Sequence, residues 1–153
     1  MRSHALRTVV GVCLVLGSLV LCLVAGGCGG SQRRSQEREE SNLKPLAVFY
    51  GKYIGQHRGQ PPASEKELKE FIRSAGADQL ASFNVADVDS LFVSPRDQKP
   101  YVVLYGRAAP AGKDRVVAYE QKGKNGKRFV ANDLGQIQEV DEARFKEMVP
   151  GAR

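Results

Sequence analysis

The stretch Arg115–Val140, "RVVAYEQKGKNGKRFVANDLGQIQEV", decides the fold. Three runs rich in β-branched and aromatic residues (115–121, 128–132 and 136–140) are separated by two short polar segments, "KGKNGK" and "DLG". That layout predicts three antiparallel strands in a meander. Asn125-Gly126 is the strongest short hairpin signal, because both central positions of the favoured two-residue turn need positive φ. The same segment carries Lys122, Lys124, Lys127 and Arg128 among two glycines, so a phosphate-gripping loop has to be weighed against a turn. The spacing rejects the phosphate loop. Such a loop needs a glycine five residues before Gly126, where Gln121 stands, and a hydroxyl after Lys127, where Arg128 stands.

Upstream the hydrophobic period changes to that of helices. Leu46, Phe49, Tyr50, Tyr53, Ile54 and His57 recur every three or four residues, with Pro45 suited to the first turn. Gly51 and Gly55 weaken this helix by up to about 1 kcal/mol each relative to Ala, so packing must hold it. Ser64 and Glu67 form a capping box ahead of Leu68, Phe71 and Ile72, and Gly76 is a plausible stop. Residues 77–90 read as loop or irregular turns, with Leu80, Phe83 and Val85 pinned to the core. A turn bounded by Pro95 and Pro100 leads into a strand at Tyr101–Tyr105, and "RAAPAGKD" (107–114) is a loop. Asp141 is the expected N-cap of a short last helix that buries Phe145, Met148 and Val149. The fold class is therefore α+β, with the apolar helix faces expected on one side of the meander.

The N-terminus is organised differently. Arg2 and Arg7 precede an uncharged apolar run, Val9 to Ala25, which is the layout of an export signal. It ends in "LVAGGC", which resembles the lipobox of bacterial lipoproteins. That resemblance implies cleavage before Cys28 and lipidation of its thiol, with residues 1–27 a signal peptide. The alternatives are a soluble secretion signal and an uncleaved single-pass anchor, since the twenty residues from Thr8 to Gly27 are enough to span a bilayer. Residues 28–42 carry three arginines and three glutamates and no aliphatic side chain. They are expected to be a solvated tether, with a charge-mixed helical turn as the alternative. Cys13 and Cys22 leave with the signal, so no disulfide is expected in the head, residues 43–153. That head has 18 Lys/Arg against 14 Asp/Glu, a surplus equal to the four cations of 122–128.

The combination "YIGQHRGQPPASEKEL", "SPRDQKPYVVLYG" and the meander before "DEARF" resembles the pseudopilin-type heads of type II secretion components and their lipoprotein relatives. The resemblance covers most of 43–149. It implies an α+β head that meets protein partners in the bacterial envelope. The chain departs from the family in one respect. Pilin-type proteins retain their apolar N-terminal helix for assembly, whereas lipobox cleavage before Cys28 would remove it, so filament assembly by that route is not implied.

Candidate chemistry is sparse. Lys122, Lys124, Lys127 and Arg128 are candidate contacts for an anionic polymer or lipid headgroups, and nucleic acid is not the expected partner. His57 lacks a second His or Cys for a transition-metal site and reads as a helix-end residue. Ser64, Ser74, Ser82, Ser90 and Ser94 have no nucleophile-elbow context. No catalytic residue and no cofactor is assigned, although a hydrolase with an unrecognised site remains a rival class. Asn132 and Asp133, or Asp87 and Asp89, offer oxygens for calcium, which the resemblance also brings to mind, but Asn-Asp is ordinary turn chemistry. Arg96 and Asp97 are either a recognition point or a loop-fixing ion pair. The expectation is a lipid-anchored, non-enzymatic envelope protein that is held by acyl chains on Cys28 and binds a protein partner.

Overall fold

A computed structural model describes residues 32–33, 36–37, 41–75, 77–106 and 115–152. The apolar run from Val9 to Ala25, Cys28, Gly76 and the 107–114 loop lie outside these residues. Helix α1 (Leu43–Gln56) and α2 (Glu65–Ser74) are followed by a short α3 (Ala77–Ser82) and a 3₁₀ turn (Asp89–Phe92). Four strands come next, β1 (Tyr101–Val103), β2 (Val116–Glu120), β3 (Lys127–Asn132) and β4 (Ile137–Asp141), and α4 (Glu142–Met148) closes the chain. The sheet is an antiparallel meander in the order β1-β2-β3-β4. The α+β architecture is thus the one expected, with helical turns inside the 77–90 segment read as irregular. Leu80, Phe83 and Val85 do pack against the core there.

The local signals act as their chemistry dictates. Asn125 and Gly126 have φ of 55° and 71°, and Lys124 and Lys127 exchange backbone hydrogen bonds of 2.8 and 3.0 Å across them. Ser64 Oγ accepts the Glu67 N–H at 3.3 Å, capping α2. The Glu67 side chain reaches back one residue further than the usual box, to the Ala63 N–H at 2.7 Å, and also accepts the Tyr53 hydroxyl. Asp141 caps α4 through the Arg144 N–H at 2.9 Å. At the start of α1, Ser41 Oγ accepts the Leu43 N–H and bonds the Tyr101 hydroxyl, while the Asn42 amide donates to Ser90 O and Val93 O.

The helices do not share one side of the sheet. Leu43, Leu46, Phe49, Tyr50 and Tyr53 of α1, with Leu68 and Ile72 of α2, pack with Val117, Phe129, Ala131 and Ile137 on one face. Phe145 and Val149 cover the opposite face against Val116, Tyr119, Val130 and Val140, with Tyr119 and Phe145 edge-to-face at 4.8 Å. All five residues of β2 are consequently buried. A bulge between Val116 and Ala118 interrupts strict alternation and lets both Val117 and Ala118 join the α1 side.

Candidate functional site

The Ser94–Lys99 turn wraps onto the β2–β3 hairpin, and the head's polar side chains converge there. Ser94 is fully buried; its N–H donates to Lys99 O and its Oγ accepts the Arg96 N–H, which fixes the turn. Asp97 Oδ2 then accepts the Gly123 N–H at 2.9 Å and the Lys122 N–H at 3.3 Å. Arg96 lies over the Phe129 ring, 4.1 Å from its centroid. Its Nη2 donates to Glu139 Oε1 at 2.8 Å and, at 3.4 Å each, to the carbonyls of Lys124 and Lys127. Arg96 and Asp97 each tie this turn to the neighbouring hairpin, but they do not form the ion pair with each other that the sequence offered. Asp97 turns to the backbone of the β2–β3 hairpin, whereas Arg96 turns to the carbonyls of that hairpin and to Glu139 of β4.

Beneath Arg96 lies Glu120, which has no solvent exposure. Its carboxylate accepts the Ser94 hydroxyl at 3.1 Å and the Phe129 N–H at 2.8 Å, and stands 3.8 Å from Arg96 Nη1. Burial pushes the Glu120 carboxyl up from its ordinary range, against the opposing pull of the Phe129 N–H and the Arg96 charge. Arg96 Nε and Nη1 are buried without a hydrogen-bond acceptor among the described residues, so this guanidinium is held by charge as much as by hydrogen bonds.

Above this buried cluster is a cleft of about 290 Å³, walled by Arg33, Glu37, Lys124, Asn125 and Lys127 and floored by Arg96 and Glu139. Gln32, Arg33, Gln36 and Glu37 are helical, so the helical-turn reading of the tether applies at these residues. Glu37 Oε1 is 3.6 Å from both Arg33 Nε and Lys124 Nζ. The sequence assigned Arg33 and Glu37 no place in this cleft, although their i,i+4 spacing was the signal for a paired turn.

The four hairpin cations thus divide. Lys122, Lys124 and Lys127 are exposed. Arg128 turns to the other face, where it bonds Glu142 at 2.5 Å and Gln121 O at 3.2 Å and lies 4.0 Å over Phe145. It is a structural residue that joins β3 to α4, not part of an exposed basic patch.

The other candidates are committed locally. Asn132 Oδ1 accepts the Leu134 and Gln136 N–H groups, and Asp133 pairs with Arg115 at 3.2 Å, so calcium there would compete with bonds that form the turn. Asp87 accepts the Ser90 N–H, and Asp89 pairs with Lys69 and Arg73. Among the described residues, no group of three His, Cys, Asp or Glu side chains is placed to hold a metal. His57 is the C-cap of α1, stacked on Tyr53 at 3.8 Å, with Nδ1 2.8 Å from the Tyr53 carbonyl. The hydroxyls of Ser74, Ser82 and Ser90 donate to Phe71 O, Gln79 O and Asp87 O. No helix of the described residues is long and apolar enough to cross a membrane. No protein-family model matches the chain, and no curated protein or solved structure matches it either.

Proposed function

We propose that this chain is a bacterial envelope lipoprotein, acylated on Cys28 and held outside the cytoplasm, whose α+β head is a non-enzymatic protein-interaction module akin to pseudopilin heads. The observation that carries the reading is the uncharged run from Val9 to Ala25 ending in Gly26-Gly27-Cys28 and followed at once by a polar segment. The serines and the histidine weighed for catalysis, and the carboxylates weighed for calcium, are engaged in caps, turns and ion pairs. A partner has an anchor in Leu134, which is 73% exposed on a turn whose backbone is tied down by Asn132. A side chain held on so rigid a turn loses little freedom on binding.

Intact mass of the protein extracted from membranes tests this. Acylated Cys28 as the first residue is the expected result. A chain beginning at Met1 overturns the lipoprotein reading in favour of a retained span.

A further inference from the structure

Among the described residues the two ends of the sheet differ in charge, and Arg33 and Glu37 of the tether lie at the first of them. Successive turns of a meander lie at opposite ends, so the 121–126 turn and the 133–136 turn are separated by the six residues of β3, about 20 Å. The first end exposes Lys122, Lys124 and Lys127. At the second, among the described residues, Asp133 is paired with Arg115, and Leu134 and the uncharged Gln136 are exposed.

Glu37 contacts the first end through Lys124, and Arg33 shares the cleft wall with Lys124 and Lys127. Eight residues separate Glu37 from Cys28. Those nine steps span about 30 Å when fully extended and about 14 Å when helical. An acyl chain on Cys28 therefore keeps the bilayer within about 30 Å of Glu37, and the exposed lysines beside Glu37 favour that end. Glu37 and Glu139 offset part of the positive charge within the cleft, whereas Lys122 lies outside it. A bilayer rich in anionic lipid attracts clustered lysines and arginines that come within about a Debye length, roughly 8–10 Å, of its surface.

We infer that the β2–β3 hairpin is the membrane-facing end of the head, and that Arg33, Lys122, Lys124 and Lys127 dock it on the anionic headgroups of the bilayer that carries its anchor. The inference rests on the lipid-anchor reading and adds an orientation to it. The lysines orient the head and the Leu134 turn points away from the lipid.

The test uses the full chain, extracted and reconstituted into phosphatidylcholine vesicles with or without phosphatidylglycerol, with a quencher attached to the headgroups. A fluorophore is placed at Gln121→Cys, beside the hairpin, or at Leu134→Cys, at the far turn. The expected result is stronger quenching at 121 than at 134 in phosphatidylglycerol vesicles, with the ratio falling to about one at high salt and in the Lys122→Ser/Lys124→Ser/Lys127→Ser variant. Equal quenching at both sites in the parent overturns the inference, as does a preference for 121 that survives removal of the lysines. Intact mass of the same sample separates the two readings. Acylated Cys28 with equal quenching defeats the docking alone, whereas a chain that begins at Met1 defeats the anchor.

Discussion

Gly51 and Asp133 meet where α1 crosses the β3–β4 turn, so closely that a Cβ on Gly51 would overlap the Asp133 carbonyl oxygen. A second glycine of the same helix, Gly55, has open space around it. The two therefore respond in opposite directions to the same substitution. Gly55→Ala gains helix propensity and is expected to stabilise by about 0.5–1 kcal/mol. Gly51→Ala forces the helix off the turn and is expected to destabilise by about 1–3 kcal/mol despite the same gain in propensity. Urea midpoints of the two variants check this, and a stabilising Gly51→Ala would contradict the packing described.

The hairpin cations are expected to separate into surface and structural residues. Substituting Lys122, Lys124 and Lys127 with Ser touches exposed side chains and should leave stability within about 0.5 kcal/mol per site. Arg128→Ser removes the bond to Glu142 and the cover over Phe145, and should cost about 1–2 kcal/mol. Gly126→Ala places a Cβ at φ 71° and should cost about 1–2 kcal/mol. Thermal melts of these variants, with each lysine substituted singly, suffice. A loss from any single lysine substitution equal to that from Arg128→Ser would show that the division is wrong.

What the sequence made legible was local. Asn125-Gly126 specified its turn because φ is a property of those two residues, and Ser64 and Asp141 specified helix starts because an N-cap needs only its own side chain and the next turn. The pairing of Arg96 with Glu120 and Glu139 was not legible, since it joins positions up to 43 residues apart. For the same reason Gly51 read as a weak helix position when it is a close-approach position. The side of the sheet that α4 covers lay between these cases. Its apolar stripe says which side of the helix is buried, not which face of the sheet receives it. The signal that was available is β2 itself, where "VVAY" is apolar without alternation, the pattern of a strand covered on both faces.

Glu120 makes a pH-dependent prediction. Burial raises its folded-state pKa, so between its unfolded and folded values the native protein holds more protons than the unfolded chain. Stability from this group is thus fully present below the unfolded value, near 4.5, and is lost as pH rises through the folded value. Glu120→Gln keeps an oxygen for the Phe129 N–H but cannot ionise. The stability of Glu120→Gln relative to the parent should therefore rise as pH increases through the acid range and level off above the folded pKa. Urea titrations at a series of pH values read the difference, and a difference that falls with pH would overturn the assignment.

The alkaline limb belongs to the tyrosines. The chain has five, and in the folded head all are shifted upward. Tyr50 and Tyr101 reach about 12, chiefly through burial, and Tyr53 about 12, chiefly through its hydrogen bond to Glu67. Burial also drives Tyr105 and Tyr119 up; the Tyr105 hydroxyl is buried without an acceptor among the described residues. The phenols thus keep their protons in the native state at pH values where the unfolded chain, with pKa near 10, gives them up. Stability they contribute is fully present below pH 10 and is lost as pH rises from about 10 toward 12. Absorbance at the phenolate band should stay flat through pH 10 and then rise together with loss of far-ultraviolet helix signal, as one cooperative step. Tyr53→Phe reads the share of that one phenol in the step. It leaves the other four phenols in place and removes the Glu67 partner, so the absorbance change should shrink by about a fifth. Phenolate appearing near pH 10 in the folded parent would show that these hydroxyls are not held as described.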